Sequence, residues 1–260
     1  MTEGTRKMEL VRTKADEVLP LTRVITKDLR PRVLVVGDPA RAQRVASMLD
    51  DMQELAKNRE YWSFNGSWNG VPITVISHGV GACGAAAVFE EVCRGGAQLV
   101  IRSGTAGGLQ DDVVDGDIVV ATAAVRADGL SQRIVPLEYP AVSDTHVAVE
   151  LERQARKSGL TVHFGVLATM ASFYPSPVLP NEQVLWRDAG AVGVEMEVAA
   201  LFTICGLHRV RAGALVAIDG NPLKDNDEAM TDYQPDRQIV DRAVQSALQA
   251  ALDTLATVEL

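Results

Sequence analysis

Short β-branched runs alternate with segments of helical period along almost the whole chain, which restricts it to folds with a largely parallel sheet and crossover helices. RVLVVGD (Arg32 to Asp38) reads as a buried strand ending in a turn. PARAQRVASMLDDM after it sets Ala42, Val45, Ala46 and Leu49 on one helical face. VPITVISHGVG predicts a strand entering a glycine loop, and AAAVFEEVCRGG a helix closed by glycine. QLVIRSGTAGGL and DIVVATAAV predict further strands, the first ending in a second glycine loop. A helix is expected around Asp144 to Ser158, a strand at Thr161 to Ala168 and a helix at Glu197 to Leu207. RAGALVAIDG reads as a strand and Pro235 to Thr257 as a long amphipathic helix. The sum is a single-domain three-layer α/β/α sandwich with a mixed, largely parallel central sheet, spanning residues 22–260 behind a tail at 1–21. The loop from Asn221 to Pro235, rich in Asp, Asn and Pro, is expected to be mobile.

Hydrophobic residues make up 47% of the 260, enough for a substantial core. A net charge of −9 argues against nucleic acid or an anionic membrane as partner, since both reward a basic surface. The longest apolar runs, such as Val198 to Cys205, fall far short of a bilayer span, and the N-terminal stretch lacks an apolar secretory core. Cys83, Cys93 and Cys205 are odd in number and lack CxxC spacing, suggesting neither a disulfide frame nor a zinc site. A reduced cytoplasmic setting is the simplest expectation, and no His or Cys spacing predicts a metal.

Ligands of open α/β sheets bind beyond the carboxyl ends of strands, and four such ends carry unusual polar content. They are GDPAR (Gly37 to Arg41), RSGTAGG (Arg102 to Gly108), VEME (Val194 to Glu197) and AIDGNP (Ala217 to Pro222). Gly37 lets backbone amides approach a ligand and Arg41 adds a fixed cation. Arg102 precedes a small-residue loop that offers Thr105 and free amides. Two arginines, glycine loops and a hydroxyl suit a phosphate-sized anion, although each loop alone reads equally as an ordinary turn. Neither carries the spacing of a dinucleotide or triphosphate loop.

Glu195 and Glu197 run straight into Val198-Ala-Ala-Leu-Phe, a segment apolar enough for a core, so both carboxylates need partners. They read either as the first turn of a helix, meeting its dipole, or as acceptors for paired hydroxyls such as a sugar diol. Asp219 ends a strand expected to be buried on both faces. It is either a desolvated general acid or an aspartate capping its own Asp-Gly-Asn-Pro turn. Ser77-His78-Gly79 is not a nucleophile elbow.

Nine motifs in order resemble the nucleoside phosphorylase family, which includes hexameric purine nucleoside phosphorylases and uridine phosphorylases. They are VVGDPAR, KNREY, SHGVGACG, VIRSGTAGGLQ, GDIVVATAAVRADG, PAVSD, FYPSP, VEMEVAAL and AIDGNP, and the likeness runs from about Thr22 to Leu255. The resemblance implies that Gly37, Arg41, Arg102 and Thr105 hold inorganic phosphate. Arg59 would reach a neighbouring subunit's phosphate site, which makes a dimer the smallest active unit and a hexamer, a trimer of dimers, the expected assembly. Met196 would pack under the ribose, Glu197 would accept from its 2′- and 3′-hydroxyls, and Glu195 would lie near the base and ribose rim. Phe173 would stack on the base and Asp219 would protonate it as it leaves. No cofactor is implied, phosphate being a co-substrate.

On base preference the resemblance divides. Uridine phosphorylases read uracil with a Gln-x-Arg pair shortly after their FYP motif, where this chain has SPVLPNEQVLW and no such pair. AIDGNPLK resembles purine enzymes of the protozoan type, which implies phosphorolysis of purine nucleosides, inosine or guanosine ahead of adenosine. The alternatives are a uridine phosphorylase, or a methylthioadenosine phosphorylase or nucleosidase of the same fold. Thr22 stands about where relatives carry a histidine for the 5′-hydroxyl, and Thr169-Met-Ala-Ser172 replaces a Ser/Asp pair, leaving a less polar wall.

Overall fold

The computed structural model describes residues 14, 16–223 and 237–260, so most of the Asn221–Pro235 loop lies outside the described residues. The elements run β1 (Arg32–Val36), α1 (Pro39–Ala46), β2 (Asp50–Asn58), β3 (Tyr61–Trp68), β4 (Val71–Ser77), α2 (Ala82–Arg94) and β5 (Leu99–Gly108). After them come β6 (Ile118–Ala127), α3 (Ser131–Ile134), β7 (Ala141–Val142), α4 (Thr145–Ala155), β8 (Val162–Met170) and α5 (Glu182–Asp188). The last are β9 (Gly193–Glu195), α6 (Val198–His208), β10 (Arg211–Gly220) and α7 (Gln238–Thr257).

The expected three-layer sandwich is overturned by how the sheet closes. β10 pairs with β5 on one side and with β6 on the other, and β6, β8, β9 and β5 continue the ring. Five strands therefore form a barrel, with β1, β4, β3 and β2 extending outward from β5 and β7 attached to β6. β10–β5, β6–β8 and β8–β9 are parallel, whereas β10–β6 and β5–β9 are antiparallel. Closing a sheet demands curvature, and register shifts supply it between Ile218 and Gly220 of β10 and between Ala121 and Ala123 of β6.

The strands bury both faces. Along β1, Val33 and Val35 join the core under α2 and α6, while Leu34 and Val36 join the core under α1, α4 and α7. α6 is buried from Val198 to Cys205, as its uniformly apolar sequence requires. At the entry to the domain, Leu19 packs into the core, and the buried Glu91 carboxylate accepts from the amides of Leu21 and Thr22 at 2.6 and 2.8 Å.

Two local expectations are corrected. The helix predicted over residues 39–52 ends at Ala46, and DDMQELAKN forms an edge strand instead. RSGTAGG is not a loop: β5 continues to Gly108, and its backbone lies in the ladder with β10, Thr105 opposite Ala217. Pairing with β10 engages one edge of this stretch, and Thr105 lines the cavity.

Candidate active site

A cavity of about 660 Å³ opens at the carboxyl ends of β1, β5, β8 and β10. Gly37, Arg41, Arg102, Thr105, Phe173, Glu195, Met196, Glu197 and Asp219 all line it, so nine of the ten expected site residues converge. Arg59 does not. It sits exposed in the β2–β3 turn, with φ 53°, outside the cavity lining of its own chain.

Each residue is placed by its element. Asp38 caps α1 by accepting from the Ala40 amide at 2.8 Å, and Pro39 occupies the first turn, so Arg41 is carried on that turn into the cavity. Arg102 lies mid-sheet, between Val35 of β1 and Ala214 of β10, and is only 4% exposed. Residues 102 and 104 share a strand face, and the guanidinium folds back over Gly104. A Cβ there would stand 2.7 Å from the Arg102 Cζ, so only glycine leaves room.

Both glutamates face Arg102. Arg102 Nη2 donates to Glu197 Oε2, and Nη1 lies 3.6 Å from Glu195 Oε2. The Gly81 amide donates to Glu197 Oε1 at 2.6 Å, from a glycine whose φ of 88° lies in the left-handed region. The Glu195 carboxylate serves α6. It accepts from the amides of Glu197 at 2.8 Å and Val198 at 3.0 Å, and from the Thr169 hydroxyl at 2.5 Å. That hydroxyl in turn accepts from the Ala199 amide at 2.9 Å. Glu195 thus fastens the helix start, and Glu197 keeps unused lone pairs beside the cavity.

Charge in this cluster is set by burial against Arg102. Burial pushes the Glu195 carboxyl up. For Glu197 burial pulls the same way but is outweighed by Arg102 and the Gly81 amide, so its pKa falls and it stays ionised. Burial lowers the Arg41 pKa, with Arg102 and Arg44 adding to the effect and Asp38 and Asp219 opposing it. His78 is fully enclosed, and burial together with Arg102 brings it down to about 4, so the ring is neutral. Its Nδ1 lies 2.9 Å from the Gly79 carbonyl, and Nε2 has no hydrogen-bond partner among the described residues.

Arg102 Nε and Nη1 likewise have no hydrogen-bond partner among the described residues, although both are buried. Unmatched donors on a buried cation make a receptor for an anion. Asp219 is 6% exposed at the end of β10, and its backbone carbonyl accepts from Arg237 at 3.0 Å. Phe173, half-exposed, meets Tyr174 edge-on at 5.3 Å. Among the described residues no cluster of His, Cys, Asp and Glu could hold a metal ion, and no helix is long and apolar enough to cross a membrane.

Residues 31–256 match the model of the phosphorylase superfamily. The chain belongs to the phosphorylase superfamily. A purine nucleoside phosphorylase of Plasmodium falciparum (isolate 3D7) is 37% identical over 210 residues, covering 80% of this chain and 86% of that protein. A uridine phosphorylase of Thermococcus kodakarensis is 36% identical over 205 residues, covering 75% of this chain and 74% of that one. The crystal structure of purine nucleoside phosphorylase from Toxoplasma gondii in complex with immucillin-H superimposes with a TM-score of 0.87 at 33% identity, covering 94% of this chain and 97% of that chain. The superfamily match spans all nine sequence motifs, from VVGDPAR to AIDGNP.

Sequence reasoning missed several residues of this phosphorylase site. Glu60, Gly79, Val80, Met170, Ser172, Gln183, Asn221 and Pro222 also line it. SHGVG already contained Gly79 and Val80 as part of a strand-end glycine loop. Gln183 had no local signal: its helix of seven residues follows a proline-rich segment with no readable period.

Proposed function

We propose that this protein is a purine nucleoside phosphorylase, converting a nucleoside and inorganic phosphate reversibly into free base and pentose 1-phosphate, with inosine or guanosine preferred over adenosine. The observation that carries the reading is the gathering of two arginines, a diol-accepting carboxylate, an aromatic ring and a buried aspartate in one cavity. The purine nucleoside phosphorylases among its relatives support it.

In this reading phosphate lies against Arg41, Arg102, Thr105 and Gly37. Arg59 of a neighbouring copy completes the anion site, and its exposed position outside its own cavity supports that arrangement. The active form is a homo-oligomer, a dimer at least and a hexamer in full. The protein acts in the cytoplasm, a reading supported by three free cysteines, of which Cys93 and Cys205 share a thiol hydrogen bond at 3.8 Å.

Breaking the N-glycosidic bond builds positive charge on the sugar and negative charge on the base. Phosphate oxygens, held by the arginines on one face of the ribose, stabilise the developing cation and then form the new C1′–O bond. Glu197, ionised, accepts from the ribose hydroxyls while Met196 packs beneath the ring. Asp219 donates a proton to the departing purine, and Phe173 covers the base. Glu195 holds the start of α6 and borders the base. The test is inosine turnover with and without phosphate. A strict phosphate requirement with pentose 1-phosphate as product is expected, and equal rates without phosphate would overturn the reading.

A further inference from the structure

Gln183 is 7% exposed, and it lines the cavity together with Met170, Ser172, Phe173 and Val194. Its backbone amide donates to the Asn181 side chain at 3.0 Å, which fixes the first turn of α5. Its carboxamide makes no hydrogen bond to any described residue, and neither amide atom is wholly sealed from solvent. A nearly buried amide without a protein partner is available to a ligand in the cavity.

We infer that Gln183 is a specificity-determining residue that reads the hydrogen-bonding edge of the base, an inference that rests on the nucleoside phosphorylase reading of the same cavity. The chemistry follows from the group. A carboxamide presents an acceptor and a donor side by side, matching the N1–H and O6 of a 6-oxopurine. Other polar groups are accounted for differently: the Thr169 hydroxyl is engaged with Glu195 and the Ala199 amide, the Ser172 hydroxyl donates to the Tyr174 carbonyl at 2.7 Å, and Asn221 donates to the Gln110 carbonyl and accepts from the Leu223 amide. Rotation of the amide by half a turn would also suit an amino-purine edge. Gln183 therefore selects for a base with a polar edge, and the orientation of the amide grades the choice between oxo and amino groups.

The experiment compares kcat/KM for inosine, adenosine and purine riboside, which lacks a 6-substituent, in wild type and two variants. Gln183→Met keeps the volume and removes both hydrogen bonds. It should lower kcat/KM for inosine about 10- to 100-fold, mostly through KM, and leave purine riboside within about 3-fold. Gln183→Glu presents acceptors only, so it can still accept from N1–H of inosine but cannot donate to the bare N1 of purine riboside, and it should raise the inosine-to-purine-riboside ratio about 10-fold or more. A merely structural role would lower all three substrates together. If both variants keep the wild-type substrate ratios, the inference is wrong, whatever the fall in absolute rate. Wild-type turnover of a purine nucleoside with phosphate reports separately on the functional reading, since the ratios are defined only once that turnover is seen.

Discussion

Enclosure of His78 makes the stability of this protein depend on acidity in a way that one substitution should expose. The ring is neutral in the folded state because burial first, and Arg102 next, hold it at about 4 against an ordinary 6.5. A histidine depressed on folding contributes stability that is full above 6.5 and is lost as the pH falls toward 4, because the unfolded chain takes up the proton first. The gap of about 2.5 pH units, at 1.36 kcal/mol each, corresponds to about 3 kcal/mol. Nearby charges act in both directions: Glu197 favours the imidazolium, while Arg102 and Arg41 oppose it. His78→Gln removes the titrating group and leaves every other one in place. Urea unfolding of wild type and variant at about pH 7.5 and about pH 4 isolates the effect, since shared titrations cancel in the difference. Wild type should lose about 3 kcal/mol more than the variant over that range. Equal losses would refute the reasoning, because they would mean that His78 is protonated without cost in the folded protein.

Gly104→Ala should push the guanidinium of Arg102 off its seat, raising the KM for phosphate about 10-fold or more while KM for the nucleoside changes little. Steady-state kinetics with phosphate as the varied substrate checks it. Asp219→Asn should lower kcat for inosine about 10²- to 10⁴-fold. It should spare 7-methylinosine, whose base departs without needing a proton, and equal losses on both substrates would remove Asp219 from the role of acid. Arg59→Ala and Arg41→Ala subunits, each inactive alone, should regain turnover when refolded together, because some mixed pairs contain one site with both arginines. Absence of recovery, with mixed assemblies confirmed by mass, would place Arg59 outside any shared site.

Most of the site was legible because its residues stand at the ends of strands whose β-branched runs are unmistakable. Arg102 and Asp219 lie within β5 and β10, Arg41 follows β1 through the GDPA turn, Glu197 stands out against the apolar run after it, and the cavity gathers them. Barrel closure was not legible, because it depends on pairings remote in sequence. β10 could accept both β5 and β6 only in three dimensions, and the ring is completed by β9, three residues long and carrying no period at all. β2 was hidden for another reason. It is an edge strand exposed along most of its length, so DDMQELAKN has no alternation of buried and exposed positions to display. Gln183 lay in a segment where prolines, not periodicity, dominate the sequence.

The two carboxylates at Arg102 also tie the beginnings of two long helices together, α2 through Gly81 and α6 through Glu197 and Val198. A lesion at Glu195 should consequently be read by the cell as a shortage of protein before it is read as a slow enzyme. Growth-based variant screens would score that position as catalytic, and only a parallel count of molecules per cell would tell the two losses apart.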